Sequence, residues 1–391
     1  MTMTQKSYGR RIRYGMVGGG QGAFIGGVHR IAARLDDRYE LVAGALSSNP
    51  DRAAASAVEL GIEDGRSYPD FEAMAKAEAA RADGIEAVSI VTPNHLHFAA
   101  AKAFLEAGIH VICDKPVTTT LAEARTLAEI VATTGKIFVL THNYTGYAMI
   151  RQMREMIASG AIGTLRHVQA EYAQDWLTEA AETKGAKGAE WRTDPARSGA
   201  GGAIGDIGTH AYNLAAFVTG ETPERLYADL TSFVPGRTLD DSANILLRYR
   251  SGAKGMLWAS QIAVGNENSL SLRIYGDKGG LEWQHVSPDQ LWFTPYGEQK
   301  RLVTRNGAGA GTAANRVSRV PAGHPEGYLE GFANIYREAA DAIIAARDGG
   351  KPAGDVMYPG IEDGIAGLAF IEAAVQSSRT SAWVDLVPCP S

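Results

Sequence analysis

Over roughly the first 140 residues, short apolar runs alternate with stretches whose apolar positions recur at helical spacing, the pattern of a parallel sheet covered on both faces. Strands are predicted over 13–17, 41–46, 86–92, 110–113 and 137–140. The helix after the first strand carries Phe24, Val28, Ile31 and Leu35 at helical spacing, which assigns that stripe to the sheet. Asn49-Pro50-Asp51 reads as a helix start, with Asn49 as cap and Pro50 in the first turn. Further helices are expected over 95–107, closed by Gly108, and over 121–133.

Past Tyr147 the texture changes to longer stretches in which apolar and polar residues alternate, over 165–172, 243–249, 253–258 and 269–275. That alternation belongs to antiparallel strands with one face on a core. Two long helices, 328–347 and 361–377, are expected to pack beside that sheet. Two Gly-rich, polar stretches, 179–202 and 305–323, have no periodicity; loops of such length usually act as lids, substrate loops or oligomer arms. The expectation is an α/β chain: a dinucleotide-binding domain over 1–145 and an α+β domain with a large, mostly antiparallel open sheet over 146–391.

Composition narrows the class. With 391 residues, 45% hydrophobic and 21% charged, the chain holds enough apolar content for two cores and is neither disordered nor fibrous. The polar, basic start (residues 1–13) lacks an apolar segment, and no later run reaches the ~18 apolar residues of a membrane helix, so a cytoplasmic, membrane-free protein is expected. Cys113 and Cys389 alone make neither a disulfide framework nor metal-ligand spacing. A net charge of -6 with scattered Lys and Arg argues against a nucleic-acid surface.

Chemistry enters at Gly18-Gly19-Gly20-Gln21-Gly22-Ala23, a G-x-G-x-x-A fingerprint between a strand and a helix. Gly18 is read as permitting the tight turn, Gly20 as admitting a pyrophosphate, and Ala23 as allowing close helix packing, with Gln21 and Gly22 at the phosphates. Where a carboxylate would hold the adenosine ribose, the second strand ends in Ser47 and Ser48, with Arg52 a helical turn on. NAD is the expected cofactor, with NADP left open.

Two further segments, Cys113-Asp114-Lys115-Pro116 and Gly201-Gly202-Ala203-Ile204-Gly205-Asp206-Ile207-Gly208-Thr209-His210, join the fingerprint and Thr92-Pro93-Asn94-His95. Through these four motifs in this order, the chain resembles the Gfo/Idh/MocA family of glucose-fructose oxidoreductase, inositol dehydrogenase and rhizopine catabolism proteins. The resemblance implies a family Glu-Lys-Pro motif at Asp114-Lys115-Pro116, with Asp in place of Glu, and places Lys115 near the nicotinamide. It implies an aspartate and histidine pair at Asp206 and His210, an asparagine at Asn143 followed by Tyr144, and a cofactor lining of Thr92, Pro93, Asn94, His97 and Asp114. It further implies a homodimer or homotetramer through the open sheet.

The residue types suit alcohol oxidation, in which a base takes the hydroxyl proton as hydride leaves carbon. His210 is the first choice for that base, with Asp206 one turn earlier to orient the imidazole or bond the substrate. Lys115 stabilises developing alkoxide charge or serves as the base itself. His95 and His97 read as mainly structural, His142 has no assigned role, and Cys113 reads as a small core residue. Tyr172, Trp176, Trp191, Arg192, His324 and Glu326 supply the aromatic and polar groups a sugar needs, while the basic run of Lys184, Lys187, Arg192 and Arg197 also suits an anionic sugar. The leading expectation is an NAD(P)-dependent dehydrogenase or reductase of a sugar, sugar derivative or inositol. Its alternative is an NAD-dependent glycoside hydrolase that oxidises C3 transiently and eliminates the aglycone, with His324 or Glu326 as extra acid or base.

Overall fold

The computed structural model describes residues 10–386; residues 1–9 and 387–391, with Cys389, lie outside that range. The chain runs β1 (Ile12–Gly18), α1 (Phe24–Leu35), β2 (Tyr39–Ala45), α2 (Pro50–Glu59), α3 (Phe71–Ala79), β3 (Ala87–Val91), α4 (His97–Glu106), β4 (His110–Cys113), α5 (Leu121–Thr134) and β5 (Phe138–Leu140). These strands pair in parallel in the order β2-β1-β3-β4-β5. The order reverses between β1 and β3, which opens a crevice beyond their C-terminal ends, where ligands of open α/β sheets bind. Asn49 caps α2 as expected, accepting from the Arg52 amide at 2.9 Å, with Pro50 in the first turn.

The second unit runs α6 (Ala148–Ala158), β6 (Leu165–Ala173), α7 (Lys187–Arg192), α8 (Pro195–Ser198), α9 (Thr209–Thr219), β7 (Pro223–Thr231), β8 (Ser242–Tyr249), β9 (Lys254–Ser260), β10 (Ser269–Gly276), β11 (Gly279–Gln284), β12 (Gln290–Pro295), β13 (Arg301–Thr304), α10 (Thr312–Arg316), α11 (Tyr328–Arg347), α12 (Ile361–Thr380) and β14 (Val384–Asp385). Its sheet, ordered β13-β12-β11-β10-β6-β9-β8-β7-β14, is antiparallel except where β6 meets β9. Alternate residues such as Val168, Ala170 and Tyr172, or Leu270, Leu272 and Ile274, turn inward beneath α6, α9 and α12. Among the described residues no helix is long and apolar enough to cross a membrane.

Two expectations are overturned. On α1 the buried side is Gly26, Val28, His29, Ala32 and Ala33, whereas Phe24, Ile31 and Leu35 are exposed. Small residues face inward because α1 lies close against the turn at Gly19, against β2 and β3, and against α11. That second contact is the other correction: α11 does not flank the antiparallel sheet but covers the first one. It buries Phe332, Ile335, Tyr336 and Ile343 against Ile12, Tyr14, Met16 and Val28. Tyr336 anchors it, its hydroxyl bonded to Ser89 Oγ at 2.6 Å and His29 Nδ1 at 2.8 Å, while Tyr39 donates to its main-chain oxygen at 2.9 Å. The C-terminal third of the chain thus completes the N-terminal core, and α12 packs on α5 and β7 to tie the two sheets together.

Candidate active site

At the β1 end the chain turns through Gly18, Gly19 and Gly22, all left-handed (φ 76°, 72° and 80°), which is why this turn needs glycine. The structure adds to the expected division of labour at Gly20 and changes it at Ala23. A Cβ on Gly20 would lie 2.7 Å from Ser56 Oγ and 2.8 Å from the Leu46 oxygen, so Gly20 admits α2 and the β2 end. The close helix approach belongs to Gly26, whose Cβ would fall 2.4 Å from the Gly19 Cα; Ala23 is only the residue before α1. A Cβ on Gly22 would meet nothing, leaving that side open for phosphates at the start of α1. Two buried polar atoms at the C-terminal ends of the strands lack a partner, Thr92 Oγ1 beside Gly18 and Asn143 Nδ2 past β5, as a crevice built for a polar cofactor requires. Ser48 and Arg52 are exposed near the end of β2, and Ser47 accepts from the Asn49 amide at 3.1 Å.

The loops after β3 and β4 are tied by His97. Its fully buried ring has Nδ1 2.6 Å from the Pro116 oxygen and Nε2 2.9 Å from the Thr92 oxygen, so both nitrogens serve the scaffold. Asn94 is buried and donates to the Ser198 oxygen at 3.2 Å, while exposed His95 only opens the following helix. Asp114 accepts from the Lys115 amide at 2.9 Å and from Thr141 Oγ1 at 3.1 Å, which aims the Lys115 side chain away from β4.

Opposite, residues Ile204–Gly208 form one turn of π-helix running into α9. Such wide turns recur at functional sites. Asp240 holds this one, accepting from the Gly202 amide at 2.7 Å and the Ile204 amide at 2.8 Å. Lys115 Nζ crosses between the domains to Asp206, donating to Oδ1 at 2.7 Å and to the main-chain oxygen at 2.6 Å. Asp206 Oδ2 accepts from Gln261 at 2.9 Å and from Arg192 Nε at 3.2 Å. Burial opposes ionisation of Asp206, but the charges of Lys115 and Arg192 outweigh it and hold the carboxyl far below its ordinary value.

The expectation that Asp206 orients the imidazole of His210 is corrected here, because its oxygens are taken by Lys115, Arg192 and Gln261. His210 instead has Nδ1 3.5 Å from Nδ1 of His142, with rings edge-on at 5.3 Å, and it packs edge-on to Tyr144 at 5.1 Å. Burial, then the positive charge of Lys115, lowers the His210 pKa well below its usual value, so the ring is neutral at neutral pH. Tyr144 and Tyr172 join hydroxyls at 2.6 Å, and Tyr172 donates to Asn268 at 2.8 Å.

The aperiodic 179–202 stretch arches over this cluster. It is pinned by Arg237, which bonds both oxygens of Glu182 (3.1 and 3.0 Å) and the main-chain oxygens of Leu177 and Glu179. Arg192 reaches Asp206 from this arch with its guanidinium over Trp191 (4.2 Å) and Trp176 (5.8 Å). Lys115, Asp206, His210, Asn143, Tyr144, Tyr172, Trp176, Trp191 and Arg192 are therefore all drawn to the domain junction. His324 and Glu326 are not brought into it. His324 is exposed, while buried Glu326 accepts from the Arg319 and Val320 amides at 2.6 and 2.9 Å and pairs with Arg305 at 3.0 Å. Arg305 also donates to the main-chain oxygens of Val320 and Pro321, so Glu326 and Arg305 order the 305–323 loop.

Sequence reasoning missed Gln261, Asp240, His142 and His285. His285 packs edge-on to Tyr144 at 5.3 Å, with Nε2 buried and unpartnered. Only the adjacent acids Asp240 and Asp241, between a Gly-containing loop and a strand, gave a sequence cue; the others act through contacts made by the fold.

Comparison with known proteins agrees. The family model described as "oxidoreductase family, NAD-binding Rossmann fold" matches residues 12–144, and the Gfo/Idh/MocA C-terminal domain matches 150–282. An oxidoreductase structure from Sinorhizobium meliloti is 58% identical, covering 96% of this chain and 100% of its own at a TM-score of 0.87. An inositol dehydrogenase homologue from Azotobacter vinelandii, solved with NADH and myo-inositol, is 38% identical (96% and 98% covered, TM-score 0.90). Levoglucosan dehydrogenase of Pseudarthrobacter phenanthrenivorans is 27% identical over 96% of this chain and 98% of its own. With its glycine turn at the sheet's switch point and Lys115, Asp206 and His210 meeting across the domain junction, the chain belongs to the Gfo/Idh/MocA family of NAD-binding oxidoreductases.

Proposed function

We propose that the protein oxidises a secondary hydroxyl of a cyclic polyol or sugar to a ketone, and reduces it in reverse, with His210 as proton acceptor and Lys115 as the cation that orients the hydroxyl. The observation that carries this reading is the 2.7 Å contact of Lys115 with Asp206 across the domain junction, beside buried His210, whose pKa burial lowers. Bound NAD supplies the oxidant, taking up hydride; the remaining chemistry falls to the chain. Asp206 neutralises and aims the Lys115 ammonium, leaving a donor for the substrate oxygen as charge develops on it. His210, uncharged, takes the proton at its free nitrogen. Asn143 Nδ2 donates to ligand, and Trp176 and Trp191 give a sugar ring an apolar face beside Arg192.

The relatives' inositol and levoglucosan ligands support a cyclic, uncharged substrate. The glycosidase alternative needs a further acid or base, and Glu326, engaged by Arg305, does not supply one. Incubation with NAD+ and myo-inositol, levoglucosan, free aldoses or aryl glycosides tests the reading. Stoichiometric NADH from a polyol is expected; NAD-dependent aglycone release without NADH would overturn it. Assembly belongs to the same proposal: the sheet face away from α9 exposes Leu246, Met256, Trp292 and Leu302, and a homodimer or homotetramer is expected through it. Light scattering that returns a monomer would contradict this.

A further inference from the structure

His142 lies at the end of the first sheet, just past β5, and His210 on the second domain's α9; the two rings meet across the junction. Both Nδ1 atoms face each other at 3.5 Å. Two lone pairs repel and two N–H groups clash, so the neutral pair shares one hydrogen between these atoms. Whichever ring holds it fixes the other nitrogen of His210. With the hydrogen on His210 Nδ1, Nε2 is a bare lone pair; with it on His142, His210 Nε2 carries a hydrogen. Nε2 of His210 has no partner among the described residues, so it is the atom left for a ligand.

We infer that His142 is a positioning residue that accepts from His210 Nδ1–H and thereby keeps His210 Nε2 unprotonated, ready to take a hydroxyl proton. The inference rests on the reading of His210 as that acceptor. The surroundings hold the pair in this geometry. Tyr144 and Tyr172 crowd the His210 ring edge-on and at a tilt (5.1 and 6.2 Å), which fixes its plane, and neither hydroxyl is free, each being engaged in the Tyr144–Tyr172–Asn268 chain. Asp206 is held by Lys115, Arg192 and Gln261, so no carboxylate is available to set the tautomer, as one does in other histidine-centred sites. Burial and the nearby Lys115 ammonium keep His142 uncharged, so it remains an acceptor. When His210 takes the substrate proton at Nε2, the substrate O–H bond breaks as the Nε2–H bond forms; the resulting cation still donates from Nδ1 to His142 with its Nδ1–H bond intact, and the same contact holds the charge until the proton leaves.

The direct test is nitrogen NMR of protein labelled in its histidine rings, with His210 assigned by loss of its signals in His210→Gln. A neutral His210 protonated at Nδ1 is expected in the wild type and a shift toward the Nε2–H form in His142→Leu. Kinetics with the polyol that turns over should show kcat for His142→Leu reduced about 10- to 100-fold, the scale of losing an orienting partner, at little changed KM. His142→Asn, whose amide oxygen reaches the same place, should recover most of that loss. An Nε2–H tautomer in the wild type, or equal kcat in His142→Leu and wild type, overturns the inference. If His210→Gln itself turns over normally, the reading of His210 falls with it.

Discussion

Asp206 illustrates how a buried acid is made tolerable: three donors from three separate elements occupy it, and the strongest is the ammonium whose position it sets. Replacing it by Asn removes the charge that holds Lys115 and leaves a buried cation partly unpaired. Asp206→Asn should therefore lower kcat/KM about 100-fold or more while NAD+ affinity, measured by fluorescence titration, stays near wild type. His210 sets the pH response. Its pKa lies well below the ordinary histidine value of about 6.5, so the ring stays unprotonated as pH falls through that value. The acid limb of polyol oxidation should thus lie below pH 6.5; a limb centred at or above 7 would contradict the assignment.

Single elements explain how these side chains are delivered. The turn that carries Asp206 hangs on Asp240, so Asp240→Ala leaves two main-chain N–H groups without an acceptor, at about 1–3 kcal/mol and with an expected fall in kcat larger than any change in NAD+ affinity. On α1, a methyl at Gly26 collides with Gly19, so Gly26→Ala should push the helix from the turn and weaken NAD+ binding at least tenfold in titration, about 1.4 kcal/mol or more. Elements were also where the sequence was most and least readable. Strand positions, the Asn49 cap and the glycine turn followed from local chemistry. The buried side of α1 did not, because a close helix contact selects Gly and Ala over the larger residues that mark an apolar stripe. The two aperiodic loops gave no sign of their order, since it comes from Arg237 and Arg305 binding main-chain oxygens far along the chain. His142 escaped assignment for the same reason: its partner sits on another domain.

At the scale of the molecule, α11 is a C-terminal helix in an N-terminal core, so the two units share one apolar interior and are expected to unfold together. Buried histidines in this interior, His29 and His142 among them, contribute to its acid sensitivity. Burial lowers His29 to about 4 and His142 to about 3, against an ordinary 6.5 in the unfolded chain. The unfolded state therefore takes up protons first as pH falls through 6.5, and the stability present above that value is lost toward pH 4, by roughly 3 kcal/mol for His29 alone. Melting temperature should drop steeply across that window, and His29→Gln should flatten the drop. The motifs that carry Lys115, Asp206 and His210 were legible from residue order, whereas which side chain each of them meets required the fold.

The most direct measurement is transient formation of NADH by enzyme saturated with NAD+ and mixed with polyol, in wild type, Lys115→Met and His210→Gln. Both variants should retain NAD+ binding, with the rate of NADH formation reduced about 100- to 10,000-fold. NADH appearing at the wild-type rate in either variant would contradict this expectation.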